Sequence, residues 1–267
     1  MTIPHLHNQP FLTQGDRHGS HLCLLLHGLG GGVYEMQPLA RSLQEQGYST
    51  CALLYPGHDR QADKMPNSRW EEWYGSVAHT YQTLASQYQS VSILGFSTGC
   101  LLALNLVLNL PQNQISSLVL MAPYLLIRRR WYYLLPPEVY LYSLGYLMSD
   151  LPRLTLPIRD PQMRQAALNA AFFQTFNLAA VRSTNQLIDR LKPRLGEIAT
   201  PTLIFQSHAD SVVHPNGAQQ LYDRLGSDCK TLHWLHQSDH ILPLDLEREQ
   251  IFQIVHQFLP NFSPLNP

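Results

Sequence analysis

Residues 95–99, Gly95-Phe96-Ser97-Thr98-Gly99, set one hydroxyl between two glycines. The apolar run 90–94 precedes them, and a strongly apolar stretch, 98–110, follows until Pro111 stops it. A serine at such a strand-to-helix turn sits on a sharp elbow with its hydroxyl exposed, and the flanking glycines allow the close backbone contacts the elbow forces. Ser97 is therefore the candidate nucleophile. A hydroxyl attacks poorly until a base takes its proton, so one of the chain's thirteen histidines must serve. His240 stands in a short polar loop after the run 231–235 and ahead of the last helical stretch. His233 and His236 lie in or at the end of that run, and His5, His7, His18 and His21 lie near the N-terminus. The orienting acid should fall between serine and histidine in this order of elements. Asp210 follows the strand-like run 202–206, in a loop at the carboxyl edge of the expected sheet, where ligand sites of open α/β sheets gather. No acid follows the run ending at Ala122, and Asp239 is expected to cap its own loop. Ser97, Asp210 and His240 together would perform acyl transfer.

Attack on a carbonyl builds negative charge on its oxygen, which needs N–H donors already in place. Thr98, directly after the nucleophile, offers one backbone N–H. The loop His27-Gly28-Leu29 offers a second, assigned to Leu29, and the glycines that follow let it approach a substrate. His27 reads as a structural hydrogen-bonding residue. Leu29, Phe96, Tyr124, Trp131, Val212 and Ile241 are the candidates to contact substrate.

These residues must be held by elements, and the chain alternates two kinds. Residues 21–26, 48–54, 90–94, 117–122, 202–206 and 231–235 read as strands. Residues 36–46, 98–110 and 244–259 read as helices, as does a stretch from Ser68 to about Gln87, where Glu71 would complete a capping box. Strands alternating with helices predict βαβ units and a mostly parallel sheet flanked by helices, an α/β fold. The pattern breaks between residues 124 and 196. That stretch has no convincing strand, many prolines, the basic run Arg128-Arg129-Arg130 and an aromatic cluster from Trp131 to Tyr146, and it turns helical over 162–191. It reads as a helical cap over residues 125–196, inserted into a core of 1–124 and 197–267. The aromatics are candidates for an apolar substrate slot. The arginines read first as a solvated basic face and second as a transient contact with an anionic membrane surface.

With the motifs in place, the sequence resembles the carboxylesterase and monoacylglycerol-lipase branch of the α/β-hydrolases. The residues that carry the likeness are 27–31, 48–54 with Pro56-Gly57-His58, Trp73, 95–99, Asp210 with Val212-Val213, and 238–241; they span roughly 21–124 and 197–260. Asp59 departs from the family's Pro-Gly-His-Gly turn. The resemblance implies a covalent acyl-serine intermediate, no cofactor and no metal at the site. An acyltransferase or thioesterase using the same three side chains is the rival enzyme reading. A non-catalytic binding protein would lack one of the three.

The bulk composition is compatible with this reading. The chain's 267 residues allow one large domain with an insertion. Charged residues make up 14% of it, against roughly 25% in ordinary domains. The net charge of -1 argues against nucleic acid as a partner. Four scattered cysteines read as free thiols in a reducing compartment, and the polar first twenty residues show no signal peptide, so a cytoplasmic location is the expectation.

Overall fold

The central strands of this protein are buried on both faces along most of their length, as parallel strands covered by helices must be. The structure is a computed structural model that describes residues 4–111, 114–128, 149–153 and 155–263. In chain order its elements are β1 (Phe11–Thr13), β2 (His18–Leu26), α1 (Gln37–Glu45), β3 (Tyr48–Ala52), α2 (Trp70–Ala85), β4 (Ser90–Phe96), α3 (Thr98–Asn109) and β5 (Ser117–Met121). There follow β6 (Asp150–Pro152), α4 (Pro161–Ala170), β7 (Thr175–Asn177), α5 (Leu178–Leu191), β8 (Thr202–Ser207), α6 (Asn216–Arg224), β9 (Lys230–Leu235) and α7 (Arg248–Phe258). Seven strands form one sheet in the order β1-β3-β2-β4-β5-β8-β9. All neighbours pair in parallel except β1, which runs antiparallel to β3. This is the α/β-hydrolase architecture that the sequence predicts.

The central strands set the core. Leu22, Leu24, Leu25 and Leu26 of β2, Ile93 and Leu94 of β4, and all of β5 are buried. Helix α3 is apolar all round and accordingly buried, Thr98 through Leu106, with α2 and α5 packed on it and β4 beneath. Among the described residues no helix is long and apolar enough to cross a membrane. Cys23, Cys51 and Cys100 are buried free thiols, and Cys229 is an exposed one.

Several local expectations need correction. The helix from Ser68 starts two residues later, and its reciprocal cap uses Glu72, whose carboxylate accepts the Arg69 N–H at 2.7 Å. Ser68 instead accepts the Trp73 indole N–H at 3.0 Å. The stretch read as strand-free holds the hairpin β6–β7, paired Asp150 to Asn177. The continuous helical reading of 162–191 divides at β7. Asp160 caps α4 by accepting the Gln162 and Met163 N–H groups, and Asn177 caps α5 by accepting those of Ala179 and Ala180. Helix α5 packs on α2 and α3, with the Ser183 hydroxyl accepting the Trp70 N–H. It is thus a flanking helix of the sheet.

The segment between β5 and β8 is tied to the sheet's loops near both of its described ends. Ile127 bridges Val213, while Arg128 N–H donates to Val212 O and His214 N–H to Leu126 O. Further on, Ile241 N–H donates to Pro157 O at 3.1 Å. The fully buried Asp245 carboxylate accepts the N–H groups of Arg159 and Asp160 on one oxygen and that of Asp239 on the other.

Candidate active site

Strand β4 ends at Phe96 and α3 begins at Thr98, leaving Ser97 alone at the turn with φ 52° and ψ -114°. That left-handed φ is uncommon for a residue with a side chain, and it persists because the surroundings hold it. Ser97 N–H donates to Met121 O of β5 at 2.9 Å, and Cys100 N–H donates back to Ser97 O at 3.1 Å. Gly99 permits the close approach: a Cβ there would lie 2.2 Å from Leu26 O in β2.

The loops after β8 and β9 deliver the other two side chains. His240 Nε2 stands 3.1 Å from Ser97 Oγ, and its Nδ1 stands 2.8 Å from Asp210 Oδ2. A proton on Nδ1 facing the acid leaves the Nε2 lone pair aimed at the serine hydroxyl. Asp210 is fully buried; its Oδ1 accepts the N–H groups of Val212 at 2.8 Å and Val213 at 2.9 Å. Its Oδ2 also accepts the Gln206 side-chain amide at 3.1 Å. Burial alone would raise the Asp210 pKa, but His240 and these donors together hold it below its ordinary 3.8. Burial alone would lower the His240 pKa; the hydrogen-bonded Asp210 charge, with Asp239 and Glu35 beyond, outweighs it and holds the imidazole above its ordinary 6.5.

The structure therefore brings Ser97, Asp210 and His240 into one chain of contacts. Thr98 is the first residue of α3, where a backbone N–H has no intrahelical partner. The Leu29 N–H has no protein acceptor among the described residues. Phe96 is buried, its ring 5.1 Å from that of His240. Tyr124 is buried with its N–H toward Ser97 O, Ile241 is buried, and Val212 is exposed. Trp131, Arg129 and Arg130 lie outside the described residues. Arg128 departs from the solvated face expected of it, since its guanidinium donates to the Asp210 carbonyl. Asp239 does not approach the His240 ring by hydrogen bond; its carboxylate accepts the Ser211 N–H at 2.8 Å and joins the acid loop to the histidine loop. His27 takes the structural role expected of it, bonding Gly28 O and stacking on Tyr55.

Three side chains at the site escape sequence reasoning. Glu35 is buried and accepts the Gly28 N–H at 2.9 Å; burial pushes its pKa up to about 7. His58 Nε2 accepts the Gly30 N–H at 3.0 Å, with burial lowering its pKa to about 4. Asp245 ties the histidine loop to the inserted segment. His58 had a signal, the Pro-Gly-His turn, whereas Glu35 lies in an otherwise ordinary amphipathic stretch.

The chain is similar to known hydrolases over nearly its whole length. The chain is 27% identical over 252 residues to a carboxylesterase of Bacillus subtilis strain 168, covering 94% of this chain and 96% of that protein. It is 27% identical over 249 residues to a thermostable monoacylglycerol lipase of Bacillus sp. strain H-257, covering 92% and 91%. Its fold is similar to that of a soluble variant of the Saccharomyces cerevisiae monoglyceride lipase, with a TM-score of 0.81 at 16% identity over 99% of this chain and 97% of that one. The sequence pattern described as serine aminopeptidase, S33 matches residues 18–247, and the chain belongs to that hydrolase family.

Proposed function

We propose that the protein hydrolyses carboxylic esters through an acyl-serine intermediate. The observation that carries this is the unbroken run of contacts from Ser97 Oγ through His240 to Asp210. His240 Nε2 takes the Ser97 proton as Oγ attacks the ester carbonyl. The Leu29 and Thr98 N–H groups hold the oxyanion, while Asp210 stabilises the imidazolium. His240 then protonates the departing alkoxide and the alcohol leaves. A water molecule, deprotonated by His240, attacks the acyl-serine and releases the acid. Protons pass between these side chains, the substrate and water, so the route uses no cofactor.

The two relatives aligned over more than nine-tenths of the chain are named for ester cleavage, which favours esters over the peptides in the family's description. We assign apolar, lipid-like esters such as monoacylglycerols or medium-chain esters as the substrate class. The apolar site residues Leu29, Phe96, Tyr124, Val212 and Ile241 support that class. In this proposal the cap is the insertion over about residues 125–196, with α5 at its end packed on α2 and α3. The buried free thiols fit a reducing, cytoplasmic setting. The test is Ser97→Ala on a panel of p-nitrophenyl esters and aminoacyl p-nitroanilides. The expected result is ester cleavage rising with acyl length, little anilide cleavage, and loss of activity on the order of a million-fold with the fold intact, as in another triad enzyme. More than a few per cent residual ester cleavage in the purified variant would overturn the assignment of Ser97.

A further inference from the structure

We infer that Glu35 and Arg153 are positioning residues of the loop that presents the Leu29 N–H, and that Arg153 makes its geometry depend on the segment inserted between β5 and β8. The inference rests on the reading of Leu29 as an oxyanion donor. A peptide group is planar, so the direction of the Leu29 N–H is set by the plane it shares with the Gly28 carbonyl. That carbonyl accepts from His27 Nδ1 at 2.8 Å and from Gly31 N–H at 3.2 Å. The plane before it is held where Glu35 Oε2 accepts the Gly28 N–H at 2.9 Å. The plane after it is held where the Gly30 N–H meets His58 Nε2 at 3.0 Å. One plane further, Gly30 O accepts from Arg153 Nη1 at 3.0 Å. A loop with glycine at 28, 30, 31 and 32 has little stiffness of its own, so these side chains supply it.

Of the four side chains, three belong to the sheet's own loops. Arg153 does not: it directly follows β6, in the inserted segment. The hairpin partner β7 adds Phe176, whose ring would touch a Cβ on Gly30 at 3.0 Å, while Gly30 itself takes the left-handed φ of +64°. The Arg153 guanidinium lies over the Phe176 ring, 5.1 Å from its centroid. The hairpin thus lays a ring and a cation on the same glycine. The Arg153 charge also acts on Glu35, opposing the rise in pKa that burial causes without cancelling it. Displacing the hairpin would free the Gly30 carbonyl, and with it the downstream end of the donor loop.

A misdirected donor costs transition-state binding and leaves ground-state binding intact. The experiment measures kcat, KM and the inhibition constant of an aliphatic trifluoromethyl ketone, which forms a serine-bound oxyanion, for Arg153→Met, Arg153→Lys and Glu35→Gln. A 1 Å misplacement can cost about a hundred-fold. The expected result for Arg153→Met is kcat lowered by about ten- to a hundred-fold, KM within about threefold, and weaker ketone inhibition by the same factor as the fall in kcat/KM. Arg153→Lys, which keeps a donor for Gly30 O, should recover part of that loss. Glu35→Gln, which keeps an acceptor for Gly28 N–H but replaces the buried carboxyl with an amide, should fall between Arg153→Met and wild type. Unchanged kcat, a loss residing in KM, or ketone inhibition that does not follow kcat/KM overturns the inference. If Arg153→Met does not fold, the lysine and glutamine variants decide by the same criteria. Ser97→Ala is run alongside: its inactivity with unaffected Arg153 variants sinks the positioning role alone, whereas retained activity sinks the serine-hydrolase reading itself.

Discussion

Two aspartates sit within reach of the histidine loop and are used differently. Asp210 places an oxygen 2.8 Å from His240 Nδ1, while Asp239 spends its carboxylate on the Ser211 N–H. Asp210→Asn removes the charge that stabilises the imidazolium and can favour the wrong tautomer, a change that costs about ten-thousand-fold in trypsin. We expect a loss of at least about a hundred-fold in kcat for Asp210→Asn, and a change within about threefold for Asp239→Asn, whose amide oxygen still accepts from Ser211. Because the base must be neutral to take the Ser97 proton, kcat/KM should rise with pH through a midpoint above 6.5 in the wild type. That midpoint should move down in any Asp210→Asn activity that remains. Equal losses in the two variants would move the acid role from Asp210. These three residues were legible in the sequence because each stands in a loop directly after a readable strand. Glu35 and Arg153 were not, because their roles exist only where a loop from the sheet and a hairpin from the insertion meet.

At the scale of elements, the elbow depends on how closely α3 seats against β2. A Cβ at Gly99 would stand 2.2 Å from Leu26 O and 2.8 Å from His27 O, both backbone atoms of buried structure that cannot move aside alone. Gly99→Ala is expected to destabilise the protein by more than about 3 kcal/mol, or to prevent folding. Gly75 makes the contrast: it is exposed within α2, and a Cβ there meets nothing within 4 Å. Gly75→Ala should stabilise by about 0.5–1 kcal/mol. Thermal melts of both variants check the pair, and similar behaviour would refute the argument from seating. The same contrast explains which elements could be read in advance. The long apolar strands and α3 carry their own signal in composition. The three-residue strands β1, β6 and β7 are half exposed and exist because a partner pairs with them, as Phe11 does with Ala52 and Asp150 with Asn177. Helix α6 is likewise short and half exposed, burying only Gly217, Ala218 and Leu221, and carries little apolar signal in its sequence.

For the whole molecule, the buried Glu35 couples folding to pH. Its folded pKa, about 7, lies above its ordinary 4.5. Between those values the folded protein holds a proton that the unfolded chain has released, so stability falls as pH rises through the window, and the full cost is present above it. His240, also raised, contributes stability below its ordinary 6.5 that is lost as pH rises through its folded value. Comparing wild type with Glu35→Gln largely separates the two. The glutamine variant should lose less in melting temperature between about pH 5 and about pH 8, and an identical pH slope in both would rule out the buried carboxylate as its source. The ties of the inserted segment carry another consequence. Leu126 and Arg128 bond to the acid loop, and Pro157, Arg159 and Asp160 bond to the histidine loop or to Asp245. A chain severed between residues 128 and 149 would leave Ser97 on one piece and Asp210 and His240 on the other. The two pieces would still meet along the β5–β8 ladder and the α3–α5 contact. Neither piece would hold all three of Ser97, Asp210 and His240, so under the proposed mechanism turnover by the mixed fragments would report that the two halves have found each other.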